Sequence, residues 1–236
     1  MMKQPQIFLF FISLLGLLGI ESLQAQTATD TVQYKERYGL RVGVDLSKPL
    51  RTLLQEDYSG LEILGDYRVY KDYYLATELG NENMKISEGN LSVTNKGSYI
   101  KLGADYNAYE NWAGMENVIQ IGLRYGFSTF SQTLESYAIG TQTAYFGTNV
   151  IETPDETKGL TASWIELMTG IKVELFQNLY LGANVQLKRM ITQTTPSNMT
   201  NLAVPGFGKT NDFSQFGVGY SYNISYLIPL YKKAKD

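Results

Sequence analysis

A strict two-residue alternation of apolar and polar side chains recurs along this chain and constrains its fold more than any other feature. In residues 119–128 every odd-numbered residue is apolar, whereas the residues between them are small, polar or charged. Successive side chains of a strand point to opposite faces, so such a strand has one apolar and one polar face. Since about ten such residues, tilted, cross the core of a bilayer, the pattern is typical of a transmembrane β-barrel.

Eight segments fit this alternating template. They are Tyr38–Ser47, Leu61–Val69, Leu75–Gly80, Ile100–Asn107, Ile119–Ser128, Ile165–Val173, Leu179–Lys188 and Phe216–Tyr226. The sequence therefore predicts an all-β fold, a closed, antiparallel, up-and-down barrel of eight strands.

The connections between these segments alternate in length. The short ones are Tyr70–Asp72, Ala108–Glu116 and Phe176–Asn178; the long ones are Pro49–Tyr58, Asn81–Lys96, Ser131–Leu160 and Thr192–Asp212. Short turns on one side and long loops on the other are typical of bacterial outer-membrane barrels. We therefore expect both ends of the barrel chain in the periplasm and the long loops outside the cell. In the third long loop, Thr133–Phe146 is predicted to form a hairpin that extends the barrel wall.

The chain divides into four parts. Residues 1–25 have a basic start, an apolar core and the small or neutral residues Leu23-Gln24-Ala25 before the expected cleavage site, which is the pattern of a cleaved secretory signal peptide. A polar periplasmic lead-in is predicted at residues 26–37, the outer-membrane barrel at 38–231, and a basic periplasmic tail at 232–236.

Composition removes several classes of function. The chain has no cysteine and no histidine, so it lacks disulfides, the usual general base and the commonest metal ligand. The net charge of −3 gives no basic footprint for nucleic acid. We therefore expect no catalytic residues, no cofactor and no metal. The 18 tyrosines and 10 phenylalanines suit the aromatic girdles of a barrel.

The face opposite the apolar one carries six cations and six anions on seven of the eight predicted strands. They are Arg41, Asp45, Glu62, Asp66, Arg68, Glu78, Lys101, Asp105, Arg124, Glu166, Lys172 and Lys188. An eight-stranded barrel has room only for its own side chains, and buried charges must be paired. The balance predicts an ion-pair network that fills the lumen; a polar pore is the alternative.

Two features of the long loops stand out. The stretch Ala203–Thr210 ends in Gly-Lys-Thr and nearly matches a phosphate-binding loop, but a strand follows it instead of a helix, so we interpret it as a flexible external loop. Five loop aromatics near the outer interface are candidates for docking a partner protein, with girdle and loop packing as the alternative. They are Tyr137, Tyr145, Phe146, Phe207 and Phe213.

Four stretches resemble a family of small outer-membrane β-barrel proteins of unknown function from Gram-negative bacteria. They are Tyr38–Pro49, Asp105–Trp112, Gly122–Ser128 and Ile228–Lys233. The resemblance covers nearly the whole chain after residue 25. It implies an outer-membrane barrel and brings no catalytic residues with it.

The leading hypothesis is a non-enzymatic outer-membrane protein with a filled lumen. It would act as a structural or binding subunit, an accessory component of a multi-protein assembly, secretion or uptake complex. Its expected partners are the lipid bilayer and other outer-membrane or surface-exposed proteins. The second hypothesis is a small pore for ions or solutes, and the third is a lipid-acting barrel enzyme.

Overall fold

The computed structural model describes residues 35–88, 90–111, 115–139, 149–152, 154–197, 199–211 and 213–234. The predicted signal peptide lies outside these ranges, as do most of the lead-in and the last two residues of the tail. In these ranges, eight long strands carry the fold, accompanied by three short strands and one helix. In chain order the elements are β1 (Lys35–Asp45), α1 (Ser47–Leu54), β2 (Tyr58–Tyr70), β3 (Tyr73–Glu88), β4 (Leu91–Asn107), β5 (Val118–Ile139), β6 (Asn149–Ile151), β7 (Asp155–Phe176), β8 (Leu179–Gln193), β9 (Ala203–Val204), β10 (Gly208–Lys209) and β11 (Phe216–Ala234). Within the described ranges, no helix has the length and apolarity needed to span a membrane.

The eight long strands close into an antiparallel ring. Each pairs with the next in the order β1, β2, β3, β4, β5, β7, β8 and β11. The ring closes where β11 returns to β1, with Val42 opposite Tyr226 and Asp45 opposite Asn223. The predicted eight-stranded up-and-down barrel is confirmed.

Connections at the two ends differ, as predicted. At the short-turn end, two-residue turns at Lys71–Asp72 and Gln177–Asn178 join strands, with positive φ at Lys71 (42°) and Asn178 (68°). The opposite end, called the long-loop end, carries α1, the β3–β4 connection, the β5–β7 connection and the segment between β8 and β11.

Three of the predicted long loops contain helix or strand instead. In place of a loop at Asn81–Lys96, β3 and β4 stay paired up to Glu88 opposite Leu91. Part of the loop at Pro49–Tyr58 is α1, whose first turn accommodates Pro49. In the third long loop, the described residues 133–139 continue β5, and Leu134 pairs with Asp155 of β7.

The wall changes its polarity along the barrel axis. Over most of its height, large apolar side chains face outward and charged side chains face inward. Near the long-loop end the order is reversed, and β3 shows the switch. Glu78 is buried while Leu79 points out, but further along Met84 and Ile86 are buried while Lys85 is exposed. An apolar-outside wall suits lipid, and an apolar-inside wall suits water, so the barrel extends beyond its apolar band.

One part of the wall is open at the long-loop end, because β1 is shorter than its neighbours. The β1–β2 ladder ends with Val44 opposite Ile63, and β1 ends at Asp45. Beyond this point, towards the long-loop end, ladder partners are present on one side only for residues 58–62 of β2 and 216–221 of β11. The chain turns there into α1, which packs against β2 and touches β11.

Candidate functional site: a charged lumen and its plug

All twelve charged residues predicted to face inward are buried in the structure. Period-two spacing explains this placement, since residues of equal parity on one strand share a face. Ion pairs connect most of these residues, and several pairs join strands that are not neighbours in the ring. Such pairs cross the lumen itself.

Lys101 of β4 is the centre of the network. Its Nζ lies 2.7 Å from Glu78, 3.3 Å from Glu62 and 3.8 Å from Glu166. Glu62 on β2 and Glu166 on β7 come from strands that do not pair with β4, so this one ammonium group holds opposite walls together. Glu62 also accepts a hydrogen bond from the Tyr99 hydroxyl at 2.5 Å.

Arg124 extends the network around the wall. Its guanidinium lies 2.7 Å from Asp105 and 3.3 Å from Glu78. Arg124, at the centre of the alternating segment 119–128, therefore joins β5 to β4 and β3.

A second group of ion pairs lies towards the short-turn end. Asp66 of β2 is 3.2 Å from Arg41 on the neighbouring β1 and 2.6 Å from Lys172 on β7, across the lumen. Nearer the mouth, Arg68 pairs with Glu36 at 2.9 Å and stacks over the ring of Tyr38, 4.7 Å from its centroid.

Asp45 departs from the predicted role in the network. Its carboxylate accepts hydrogen bonds from the backbone N–H and hydroxyl of Ser47, at 2.8 and 2.9 Å, and none of the ion pairs of the described residues includes it. The reason is positional: Asp45 is the last residue of β1, where the chain turns into α1.

Glu82 and Lys48 form a further ion pair inside the barrel that the alternating pattern did not predict. Glu82 is buried on β3, forms an ion pair with Lys48 of α1 and accepts a hydrogen bond from the Tyr58 hydroxyl at 2.7 Å. Burial lowers the pKa of Lys48, but the carboxylates of Glu82 and Glu62 together raise the pKa above its ordinary value. Glu82 has the same parity as Glu78, which was the available signal; its assignment to a loop concealed it.

A hairpin from the connection between β8 and β11 enters the barrel at the long-loop end. We call residues 201–210 the plug hairpin; it contains β9 and β10. Ala203, Val204 and Phe207 are buried, and Phe207 packs edge-on against Trp164 of β7 with ring centroids 6.0 Å apart. Its apolar side chains fill the region where the inner wall is apolar.

Polar contacts join the plug hairpin to the charged network. The Gly206 N–H donates to Glu82 at 2.8 Å, and Lys188 Nζ donates to the Gly206 carbonyl at 2.8 Å. Gly206 adopts a φ of +81°, which favours glycine. The same residues that close the lumen thus hold the plug hairpin in place.

Two predictions about this segment are wrong. The stretch Ala203–Thr210 is not a flexible external loop, because it is packed inside the barrel. Phe207, predicted to lie near the outer interface as a docking residue, is only 3% exposed. The physical reason is the apolar inner wall at this end, which provides a place for apolar loop side chains away from water.

The other candidate docking aromatics have different positions. Phe213 is 99% exposed. Tyr137 is half-buried on β5, opposite Leu91 and Ile151. Tyr145 and Phe146 lie outside the described residues.

Space remaining inside the barrel is unevenly distributed. A polar cavity of about 380 Å³ opens at the short-turn end, and one of about 120 Å³ lies beneath the plug hairpin beside Lys48 and Glu82. Between them, near Asp66 and Glu62, the free volume falls to about 20 Å³. That is room for roughly one water molecule. Among the described residues, no cluster of acidic side chains has the composition of a metal site.

The fold and the lumen define a class: an all-β protein in which a closed ring of eight antiparallel strands surrounds paired charges and a plug. The family model described as "Domain of unknown function (DUF6048)" matches residues 4–233, and the chain belongs to that family. No curated protein matches the sequence. Among solved structures, the crystal structure of Ail, the attachment invasion locus protein of Yersinia pestis, is similar over 83% of this chain and 99% of that chain, with 8% identity and a TM-score of 0.40. A likeness at this level carries no information about function.

Proposed function

We propose that this protein is a bacterial outer-membrane β-barrel with a closed lumen, which serves as a non-enzymatic structural or binding subunit of an envelope complex. The short-turn end faces the periplasm and the long-loop end faces outward. In this orientation the polar-outside part of the wall stands above the membrane.

The outward apolar band supports insertion into a membrane. Leu75, Leu102 and Leu123 are each more than half exposed on neighbouring strands, and comparable side chains continue around the ring. Water would disfavour so much contiguous apolar surface, whereas a bilayer accommodates it. Because the ring is closed over most of its height, backbone groups within the band are paired, as hydrocarbon requires.

The main support for a closed lumen is the set of ion pairs that cross it. Lys172 and Asp66 form an ion pair between the opposite walls β7 and β2. Lys101 of β4 lies within ion-pair distance of both Glu62 on β2 and Glu166 on β7. The free volume near Asp66 and Glu62 holds about one water. The plug hairpin adds a second closure at the long-loop end. A barrel closed twice along its axis is suited to present a surface rather than to conduct.

Conductance in planar bilayers tests the closed lumen against the pore hypothesis. We expect no steady channels from the purified protein. Replacement of residues 201–210 by a glycine–serine linker, as a matched variant, should leave the barrel non-conducting, because the ion pairs remain. Stable channels of uniform size from the wild-type protein would replace this proposal with a small pore.

A role in binding is supported by the surface at the long-loop end. Phe213 exposes a whole aromatic ring in the segment between the plug hairpin and β11. Exposed aromatic side chains are frequent anchors of protein interfaces. Because the lumen is occupied by the chain's own residues, we assign binding to this outer surface.

Photo-crosslinking in the native host tests this assignment. A photo-reactive amino acid at position 213 should give one dominant adduct, whereas the same group at position 158, which is also exposed, should not. The F213A variant should insert normally but lose co-purification of the crosslinked protein in mild detergent. Purification of wild type as a lone monomer, with no adduct at position 213, would contradict a subunit role.

A non-enzymatic role is supported by the absence of histidine and by the engagement of the lumen carboxylates with cations. The lipid A and phospholipid profiles of a deletion strain test this assignment. Unchanged profiles are expected, and an altered profile would favour the lipid-acting enzyme.

A further inference from the structure

Helix α1 has its polar side chains turned to the barrel. Lys48 pairs with Glu82, and the guanidinium of Arg51 lies 3.9 Å from the centroid of the Tyr58 ring. The Thr52 hydroxyl accepts a hydrogen bond from the backbone N–H of Gly60 at 3.0 Å. These contacts fix which face of α1 lies against the wall.

The apolar face of α1 is turned away from the protein. Leu50, Leu53 and Leu54, spaced i, i+3 and i+4, share one face of the helix and are 52%, 83% and 76% exposed. None of the residues of α1 is buried. A helix in contact with water normally has the opposite arrangement, with its apolar face towards the protein.

This apolar face is continuous with the band of the barrel. Leu46, one turn before Leu50, points outward, and so does Val42 further down β1. On the other side of the opening above β1, Val218 and Tyr220 of β11 are also strongly exposed. The leucines of α1 therefore complete the apolar perimeter where β1 no longer supplies a wall.

We propose that α1 is an interfacial helix whose three leucines insert among the acyl chains of the outer leaflet, so that α1 covers the opening between β2 and β11. The proposal rests on the membrane location given above. Continuity with the apolar band identifies the occupant as lipid: an interfacial helix buries its apolar face at the boundary between headgroups and acyl chains. Three leucines are a small area beside the roughly 1,200 Å² that a stable protein interface buries.

The absence of cysteine makes a direct test possible, because a single introduced cysteine is unique in the chain. A spin label is attached to L53C in barrels reconstituted in phosphatidylethanolamine–phosphatidylglycerol vesicles. Its collision rates with oxygen and with a water-soluble nickel chelate are then measured. V42C in the apolar band and K158C at an exposed position near the start of β7 are matched controls for lipid and water.

We expect the label at position 53 to collide with oxygen within about twofold of the rate at position 42, and to be shielded from nickel. A label at position 53 that behaves like the one at 158 would overturn the inference. So would a label shielded from both reagents, which would indicate contact with a second copy. If the nickel chelate also reaches the label at position 42, the result contradicts the proposed membrane location of the barrel and not only the insertion of α1.

Discussion

Removal of the Phe207 side chain should destabilise the barrel more than any other single truncation in the plug hairpin. The ring is 3% exposed and packs against Trp164 and the other buried apolar residues of the long-loop end. Gly217 of β11 leaves space for it, since a Cβ at that position would lie 2.9 Å from the ring. Phe207→Ala would therefore leave a cavity in a site built around the ring.

The magnitude follows from how little the site can relax. Truncation of a buried Phe to Ala costs about 3–5 kcal/mol, with the upper part of the range where the surroundings cannot collapse. Here the backbone on both sides is held, by Glu82 at the Gly206 N–H and by Lys188 at the Gly206 and Phe207 carbonyls. We expect a loss of about 4 kcal/mol in the free energy of unfolding, close to a thousandfold shift in the equilibrium constant.

Urea titration of the folded barrel in detergent, followed by tryptophan fluorescence, measures this loss. Trp164 is a local reporter because it touches the missing ring. Phe213→Ala is the matched control: it removes the same side chain from the same connection, but at a 99% exposed position, and should change stability by less than about 0.5 kcal/mol. Equal midpoints and equal slopes for the two variants would refute the plug, because the ring at position 207 would then contribute no more than an exposed one.

Two further predictions concern the plug hairpin and the network. Gly206→Ala should destabilise the barrel by more than about 2 kcal/mol, because φ there is +81° and the new Cβ would lie 2.5 Å from the Tyr99 ring. Gly159→Ala is the control: φ there is +74° but the space around it is open, so this variant measures the cost of backbone strain alone, about 1 kcal/mol. Equal losses of stability in the two variants would show that the contact with the Tyr99 ring is absent. Lys101→Met should cost about 3–5 kcal/mol, because it leaves buried carboxylates without their cation. Adding Glu62→Gln should recover part of that loss in a double-mutant cycle, and strictly additive losses would contradict the coupling.

The barrel itself could be predicted because alternation encodes the face of each side chain. In residues 119–128 parity alone separates Leu123 outside from Arg124 inside, and the ring of eight strands followed from repeating that rule. What alternation cannot encode is which inward residues meet. The contact between Lys172 and Asp66 depends on the diameter of the closed ring, since the two residues lie on strands that never pair.

The long-loop end could not be predicted by the same rule, because the rule assumed lipid on the outside. Above the apolar band Met84 and Ile86 face inward and Lys85 faces outward, the arrangement expected of a wall whose outer medium is water. A template that requires apolar side chains on the outer face does not recognise the end of β3 as strand, and it was therefore predicted to be a loop. The helix α1 was not predicted for a related reason. Its leucines share one face only at the spacing of a helix, and a template with period two does not detect that spacing.

On β3 the even-numbered side chains up to Ile86 point inward, although the polarity of the inner face changes. On β3 the buried side chains Glu78, Glu82, Met84 and Ile86 are all even-numbered, although the first two are charged and the last two are apolar. The strand therefore continues without a bulge while the polarity of its inner and outer faces is exchanged. A wide apolar interior above a charged one cannot hold water favourably and must be filled by the chain. The plug hairpin meets this need, with Phe207 in the apolar part and the Gly206 backbone bonded to Glu82 and Lys188 where the charged part begins. The plug hairpin and the ion pairs thus follow from a single requirement: a barrel that extends past its outward apolar band must fill a charged interior and an apolar one.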